Sequence, residues 1–261
     1  MLFAIAKLIR IEKSISNSLS IFFPLIYITR NISFSLNYSI PIFFMFAAAF
    51  VINDINDLEK DKINHSNRAL PKNDISINMA IILYYFFLAG ALLSIKLTVP
   101  FNYVFIYLLY IVLITNYDYL NMGYPYLKNL YVVLVFSIHF AILYLIIPIN
   151  IFILIGLVIN ILCKEIYMDI RDIKGDGKTF AKVMGIKNTG KVILCLQFLL
   201  LASTFTVLYQ EFSIIHCLAF IIVVITFISN AIIWYRYNVL NLKSNINIIV
   251  FQNFIIYGLI L

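Results

Sequence analysis

The sequence predicts an all-α protein, a polytopic membrane bundle of about nine transmembrane helices. Three observations lead there. Of its 261 residues, 63% are apolar and 12% are charged, against roughly 45–50% and about 25% in soluble domains. Mean hydropathy is +0.99. Apolar runs of spanning length recur along the chain, separated by polar punctuation. Together these exclude a soluble globular enzyme, a disordered chain and a disulfide scaffold.

Spans are expected near 15–30, 38–56, 77–96, 101–118, 130–147, 149–168, 191–210, 213–235 and 246–261. Each is close to the ~20 residues a helix needs to cross the hydrocarbon core. The first run lacks a small-residue cleavage site, so it reads as a retained helix rather than a leader. The last run stops at Leu261 without a polar tail, so either the chain ends at the membrane face or the sequence is cut short. No composition break interrupts the series, and one integral-membrane domain over 1–261 is expected.

The charges test this layout. Lys7, Arg10 and Lys13 precede span one, and Lys60, Lys62, Arg68 and Lys72 separate spans two and three. Seven more basic residues lie from Lys164 to Lys191, and only Arg30 and Lys96 fall on the other side. Thus 17 of 19 basic residues share one face, which the positive-inside rule makes cytoplasmic, together with the N-terminus. The net charge of +7 then reflects loops facing anionic lipid and not a nucleic-acid partner. Cys163, Cys195 and Cys217 sit in apolar runs without metal-ligand spacing and read as buried packing residues.

The acids are unevenly placed. Eight of 12 occur in two short segments, 54–61 and 165–176, each continuing from the cytoplasmic end of a span. The first reads Asn53-Asp54-Ile55-Asn56-Asp57-Leu58-Glu59-Lys60-Asp61. Asp54, Asp57 and Asp61 stand at i, i+3 and i+7, one face of a helix, with Asn53 one step away. The second repeats the spacing with Asp169, Asp172 and Asp176, and Glu165 lies one turn earlier. Carboxylates gathered on one face repel each other, which disfavours folding and favours a hard cation. Two such stripes facing one another predict a site for two or three Mg²⁺ ions and, because Mg²⁺ favours phosphate oxygens, a diphosphate guest.

NDxxDxxxD followed by DxxDxxGD resembles the two motifs of the UbiA-type intramembrane prenyltransferases, and the resemblance covers essentially the whole chain. Tyr124-Pro125-Tyr126-Leu127-Lys128 is similar to that family's YPxxK segment, and Asn67-Arg68-Ala69-Leu70-Pro71 to its NRPLP stretch. Lys164-Glu165 stands where the family carries an Arg-Glu pair. Ala69 replaces a usual proline, Asn73 stands where glycine is common, and Asn129 stands where a basic residue is frequent. The family's N-terminal Arg-Pro is echoed only by Arg10 and Asn17.

The resemblance implies a Mg²⁺-dependent enzyme moving a prenyl group from a prenyl diphosphate to a lipophilic acceptor through an allylic carbocation. Asn53, Asp54, Asp57, Asp61, Asp169, Asp172 and Asp176 would form its centre, the six aspartates holding metal. Arg68, Tyr124, Lys128 and Lys178 would meet the diphosphate. Its partners would be the donor, the acceptor and membrane lipid, with no nucleic acid and no obligate protein partner. The second motif looks most like the branch making archaeal-type ether lipids, so an aromatic or glycerol-phosphate acceptor is expected. The apolar interior, with 18 Tyr and 23 Phe, suits a carbocation that water would quench.

Two other readings stand beside it. A cyclase of the same scaffold would turn the cation on its own chain. An ion-coupled carrier also needs intramembrane acids, but near the midplane, whereas these lie at helix ends. The DGxxAR opening of a CDP-alcohol phosphotransferase is absent. His139 reads as a core histidine, His65 as a loop histidine, and Asp118 as a helix cap or a partner of Lys128.

Overall fold

The computed structural model describes residues 1–116, 125–147, 149–173 and 179–237, and those residues form eleven helices. They are α1 (Leu2–Leu8), α2 (Ile11–Thr29), α3 (Ile32–Asn56), α4 (Leu58–Asn64), α5 (Ile77–Thr98), α6 (Phe101–Thr115), α7 (Pro125–Ile146), α8 (Ile151–Arg171), α9 (Phe180–Met184), α10 (Ile186–Gln210) and α11 (Ile214–Tyr237).

Eight of the nine expected spans coincide with helices, namely α2, α3, α5, α6, α7, α8, α10 and α11. Among the described residues six of these, against nine expected spans, are long and apolar enough to cross a bilayer. Helix α6 is apolar but has only 15 residues, and α2 begins with the charged Glu12 and Lys13. The expected span 246–261 lies outside the described residues. Helices α1, α4 and α9 were not anticipated. Each has five to seven residues, too short for hydrophobic periodicity to reveal.

Contacts divide the chain into two compact units, Met1–Met122 with Ala141–Ile147, and Gly123–Phe140 with Pro148–Leu261. In the first unit α3 is central, packing on both α2 and α5. Side-chain caps start its helices: Asn31 Oδ1 accepts from the Phe34 amide, and Ser76 Oγ from that of Met79. Ala47, Ala48 and Val51 of α3 pack with Ala80, Leu83 and Phe87 of α5. The same cluster takes in Ala4 and Leu8 of α1, and Ala69, Leu70 and Ile75 of the loop after α4. One apolar core therefore fixes both α1 and that loop at the end of α3. Tyr107 of α6 is fully buried, and its hydroxyl donates to the Tyr38 carbonyl at 2.8 Å.

In the second unit α10 packs on α8 and α11. Small residues allow the approach. A Cβ at Gly156 would lie 3.1 Å from Ser203 Oγ, and one at Gly190 would enter the Trp234 indole. Asn230 of α11 donates to Gln197 Oε1 of α10 at 3.3 Å, a polar pair inside an apolar bundle. His139 is fully buried, as expected of a core histidine. Of the cysteines only Cys163 is buried. Cys195 is exposed and Cys217 half-buried, because both lie on helix faces turned outward, where lipid replaces protein as the apolar surrounding.

Candidate active site

The first acidic segment is split between two helices. Helix α3 ends at Asn56, and Asp57 is at once its C-cap and the N-cap of α4. The hydrogen-bond register still runs through, from the Asp57 amide to the Asn53 carbonyl at 2.9 Å and from the Asp61 amide to the Asp57 carbonyl at 2.8 Å. The i, i+3, i+7 stripe thus survives the junction. Asp54 and Asp61 are buried, at 1% and 4% exposure. Asp57 is half-buried and pairs with Lys60 Nζ at 2.6 Å.

Two arginines hold the buried acids. Arg10 pairs with Asp54, and Arg68 pairs with Asp61 while lying 3.4 Å from Asp54 Oδ1. The Arg10 guanidinium also stacks on the Phe50 ring at 4.8 Å. Burial lowers the Arg10 pKa from its ordinary value, and the Asp54 charge opposes that shift. Burial raises the Asp61 pKa above the usual carboxylate value, opposed by Arg68. Both ion pairs of Asp54 fall on Oδ1, so its Oδ2 takes no part in them.

Arg68 is aimed by a tight loop. The Arg68 amide donates to the His65 carbonyl at 2.9 Å, and the Asp74 amide to the Ala69 carbonyl at 2.9 Å. Asn73 has φ of 59°, the left-handed region where a glycine costs least and asparagine is among the best tolerated alternatives. Asparagine in a glycine's usual place therefore preserves the turn. Ala69, in place of proline, is buried against the core.

A cavity of about 440 Å³ opens beside Asp54, lined by Lys7, Arg10, Lys13, His65 and Arg68, with Asn64, Ser66 and Asn67. Sequence reasoning did not place Lys7 and Lys13 beside Asp54 and used their charge only for topology. Their spacing with Arg10, three residues apiece, was the available signal.

The second acidic segment closes α8. Asp169 is 1% exposed, and Asn129 Nδ2 of α7 donates to its Oδ2 at 2.8 Å. Asn129 Oδ1 is buried without a hydrogen-bond partner among the described residues. Glu165 is buried with Lys164 Nζ 3.5 Å away, and that ammonium lies over the Phe136 ring. Asp172, the C-cap, is chelated by Arg171 through Nε at 2.7 Å and Nη2 at 2.5 Å. Tyr124, Asp118, Asp176 and Lys178 lie outside the described residues. Lys128 falls in the first turn of α7, but its side chain is not among those described.

Among the described residues, no three His, Cys, Asp or Glu side chains converge as a metal cage. Carboxylate oxygens are nevertheless the donors Mg²⁺ takes, and it is ordinarily held by one or two carboxylates completed by phosphate and water. The donor set fits that ion by its chemistry.

The pattern that defines the UbiA prenyltransferase family matches residues 31–254. The chain belongs to that family. Among curated proteins it is 32% identical over 190 residues to the digeranylgeranylglyceryl phosphate synthase of Sulfurisphaera tokodaii. The match takes in 65% of this chain and 64% of that protein, so the chain spans somewhat under two thirds of its relative. A solved structure concerned with digeranylgeranylglyceryl phosphate synthase in membranes superposes with a TM-score of 0.71 at 22% identity, covering 99% of this chain and 96% of the other. A UbiA homologue from Archaeoglobus fulgidus, solved with GPP and Mg²⁺, gives 0.73 at 16% identity over 98% and 99% of the two chains. These likenesses establish the UbiA fold. With six helices of spanning length and hydropathy among the described residues, this UbiA chain is an integral, multi-pass membrane protein.

Proposed function

We propose that this UbiA protein is a Mg²⁺-dependent prenyltransferase, moving a prenyl group from a prenyl diphosphate to a lipophilic acceptor of the glycerol-phosphate type. One observation carries the reading: buried Asp54 and Asp61 at a helix end, gripped by Arg10 and Arg68. A buried carboxylate pair is costly to fold and useful to an enzyme that handles polyphosphate. The relative from Sulfurisphaera tokodaii supports the acceptor class, and the homologue from Archaeoglobus fulgidus supports the donor and the metal.

Asp54, Asp57, Asp61, Asp169, Asp172 and Asp176 would hold the metal, with Asn53 beside them. Bound Mg²⁺ supplies the positive charge that makes diphosphate a competent leaving group. Arg68, Lys128 and Lys178 add fixed charge against the departing oxygens, and Tyr124 orients the substrate. The allylic C–O bond breaks, and diphosphate leaves with the electron pair. The apolar interior excludes water from the cation. The acceptor hydroxyl oxygen then forms the new C–O bond and releases its proton. The whole chain, 1–261, works as one such domain, with its N-terminus and active site at the cytoplasmic face, as the segregated basic residues support.

The test is a turnover assay in detergent with labelled geranylgeranyl diphosphate, an acceptor panel and an EDTA control. A metal-dependent labelled adduct is expected. A cyclised hydrocarbon would transfer the protein to the cyclases. Folded protein that releases no diphosphate from any donor would leave the carrier.

A further inference from the structure

The cavity beside Asp54 has a composition that the donor does not explain. Lys7, Arg10, Lys13 and Arg68 contribute four cations to its lining, and Asp54 is the single carboxylate among the described lining residues. Arg10 and Arg68 serve Asp54 and Asp61, and Lys7 and Lys13 add two further positive charges to the lining. His65 adds an imidazole to the lining, a side chain able to donate a hydrogen bond. Asn64 at the end of α4, and Ser66 and Asn67 just after it, supply neutral donors. Such a lining suits an anion that arrives without a metal. Diphosphate escorted by Mg²⁺ goes to carboxylates, whereas a bare phosphate goes to ammonium and guanidinium groups.

The surroundings specify the rest of the ligand. Lys7 and Lys13 are exposed, so the mouth meets water. Helix α1, which carries Lys7, presents Met1, Leu2 and Phe3 outward at 87%, 82% and 74% exposure. The opposite face of α1 is anchored in the core through Ala4 and Leu8. A basic cavity flanked by an outward apolar edge fits an amphiphile, with its charged end in the cavity and its tail in the bilayer.

We propose that this cavity seats a phosphate monoester, the headgroup of a glycerol-phosphate acceptor. This assignment rests on the prenyl-transfer reading for its substrate but not for its chemistry. Asp54 is shared by the cavity and the acidic cluster, so a seated headgroup lies at the edge of that cluster. Lys7 and Lys13 then determine acceptor specificity: a neutral or aromatic acceptor gains nothing from them.

The test separates site from reaction. Geranylgeranylglyceryl phosphate binding to the full chain in detergent is measured by equilibrium dialysis, with EDTA and no donor present. Lys7→Gln, Lys13→Gln and the double variant are compared with wild type, alongside KM for geranylgeranyl diphosphate and the thermal midpoint. Charge-assisted bonds to phosphate predict about tenfold or greater loss of acceptor affinity in the double variant. Affinity in wild type should also fall with ionic strength. Donor KM and thermal midpoint should stay put. Loss of donor affinity with acceptor binding intact would reassign the cavity to the diphosphate and overturn the proposal. Equal loss of binding to phosphatidylglycerol vesicles would make the lysines a general lipid-surface patch, overturning it too. Unchanged acceptor binding also overturns it. Acceptor binding that depends on both lysines in a protein without transferase activity would uphold the site and defeat the reaction.

Discussion

Arg10 and Asp54 pair across 44 residues of chain, one at the start of α2 and the other near the end of α3. Arg10 has φ of 45°, a left-handed turn between α1 and α2 that few non-glycine residues adopt. The turn is held because α1 packs into the core with the loop after α4. A backbone outlier and a buried acid thus meet at one guanidinium. Arg10→Gln is expected to keep the fold in detergent but lower transfer by about tenfold or more, as fixed charge beside the cluster is lost. A turnover assay at saturating Mg²⁺ decides, and full activity would remove Arg10 from the site.

Replacing an acid of either cluster should be more severe. Asp54→Ala, Asp57→Ala and Asp172→Ala are expected to insert normally and to lose transfer altogether. Detergent-extracted yield checks insertion and labelled-adduct formation checks activity. Full activity in any of them would take that carboxylate out of the metal set.

Arg68 serves two carboxylates. Arg68→Ala leaves Asp61 buried without its guanidinium, where a hydrogen bond to a charged group contributes about 1.5–3 kcal/mol. A lower Tm is expected, and adding Asp61→Asn should restore part of it, because an amide needs no counter-charge. Thermal unfolding of the single and double variants supplies the check.

The raised Asp61 pKa carries a pH signature. The folded state keeps this proton to higher pH than the unfolded chain, whose carboxylate titrates near 3.8. Stability from the group is therefore complete below that value and declines as pH rises through the folded pKa. Asp61→Asn removes the titration. Its Tm relative to wild type should climb as pH rises above 3.8, and a difference that stays flat with pH would contradict the shift.

Gly190 admits the Trp234 indole against α10. Gly190→Ala forces ring or helix to move, at a cost of about 1–3 kcal/mol. Gly190→Ala combined with Trp234→Leu should recover most of the lost Tm. Failure of the double variant to recover would place the strain elsewhere.

The legible parts of this molecule were those with a period. The long helices announced themselves through length and hydropathy, and the acidic stripes through i, i+3, i+7 spacing that outlasts the junction at Asp57. Pairings between distant segments left no such trace. Nothing local links Arg10 to Asp54 or Asn129 to Asp169, 40 residues apart, because tertiary packing alone brings them together. Asn129 looked like a departure from a basic residue, yet it holds Asp169 through an amide. Asn73 looked like a lost glycine, yet its backbone keeps the glycine's conformation. The short helices α1, α4 and α9 were invisible for want of turns to count.

The order of these partners along the chain matters during biosynthesis. Arg10 leaves the ribosome 44 residues ahead of Asp54, and Asn129 leaves it 40 residues ahead of Asp169. Chains assemble from the N-terminus as they are made. At Asp54 and Asp169 a hydrogen-bond donor is therefore already at the membrane when the acid emerges, and neither of these two carboxylates has to wait in lipid for that partner to be translated.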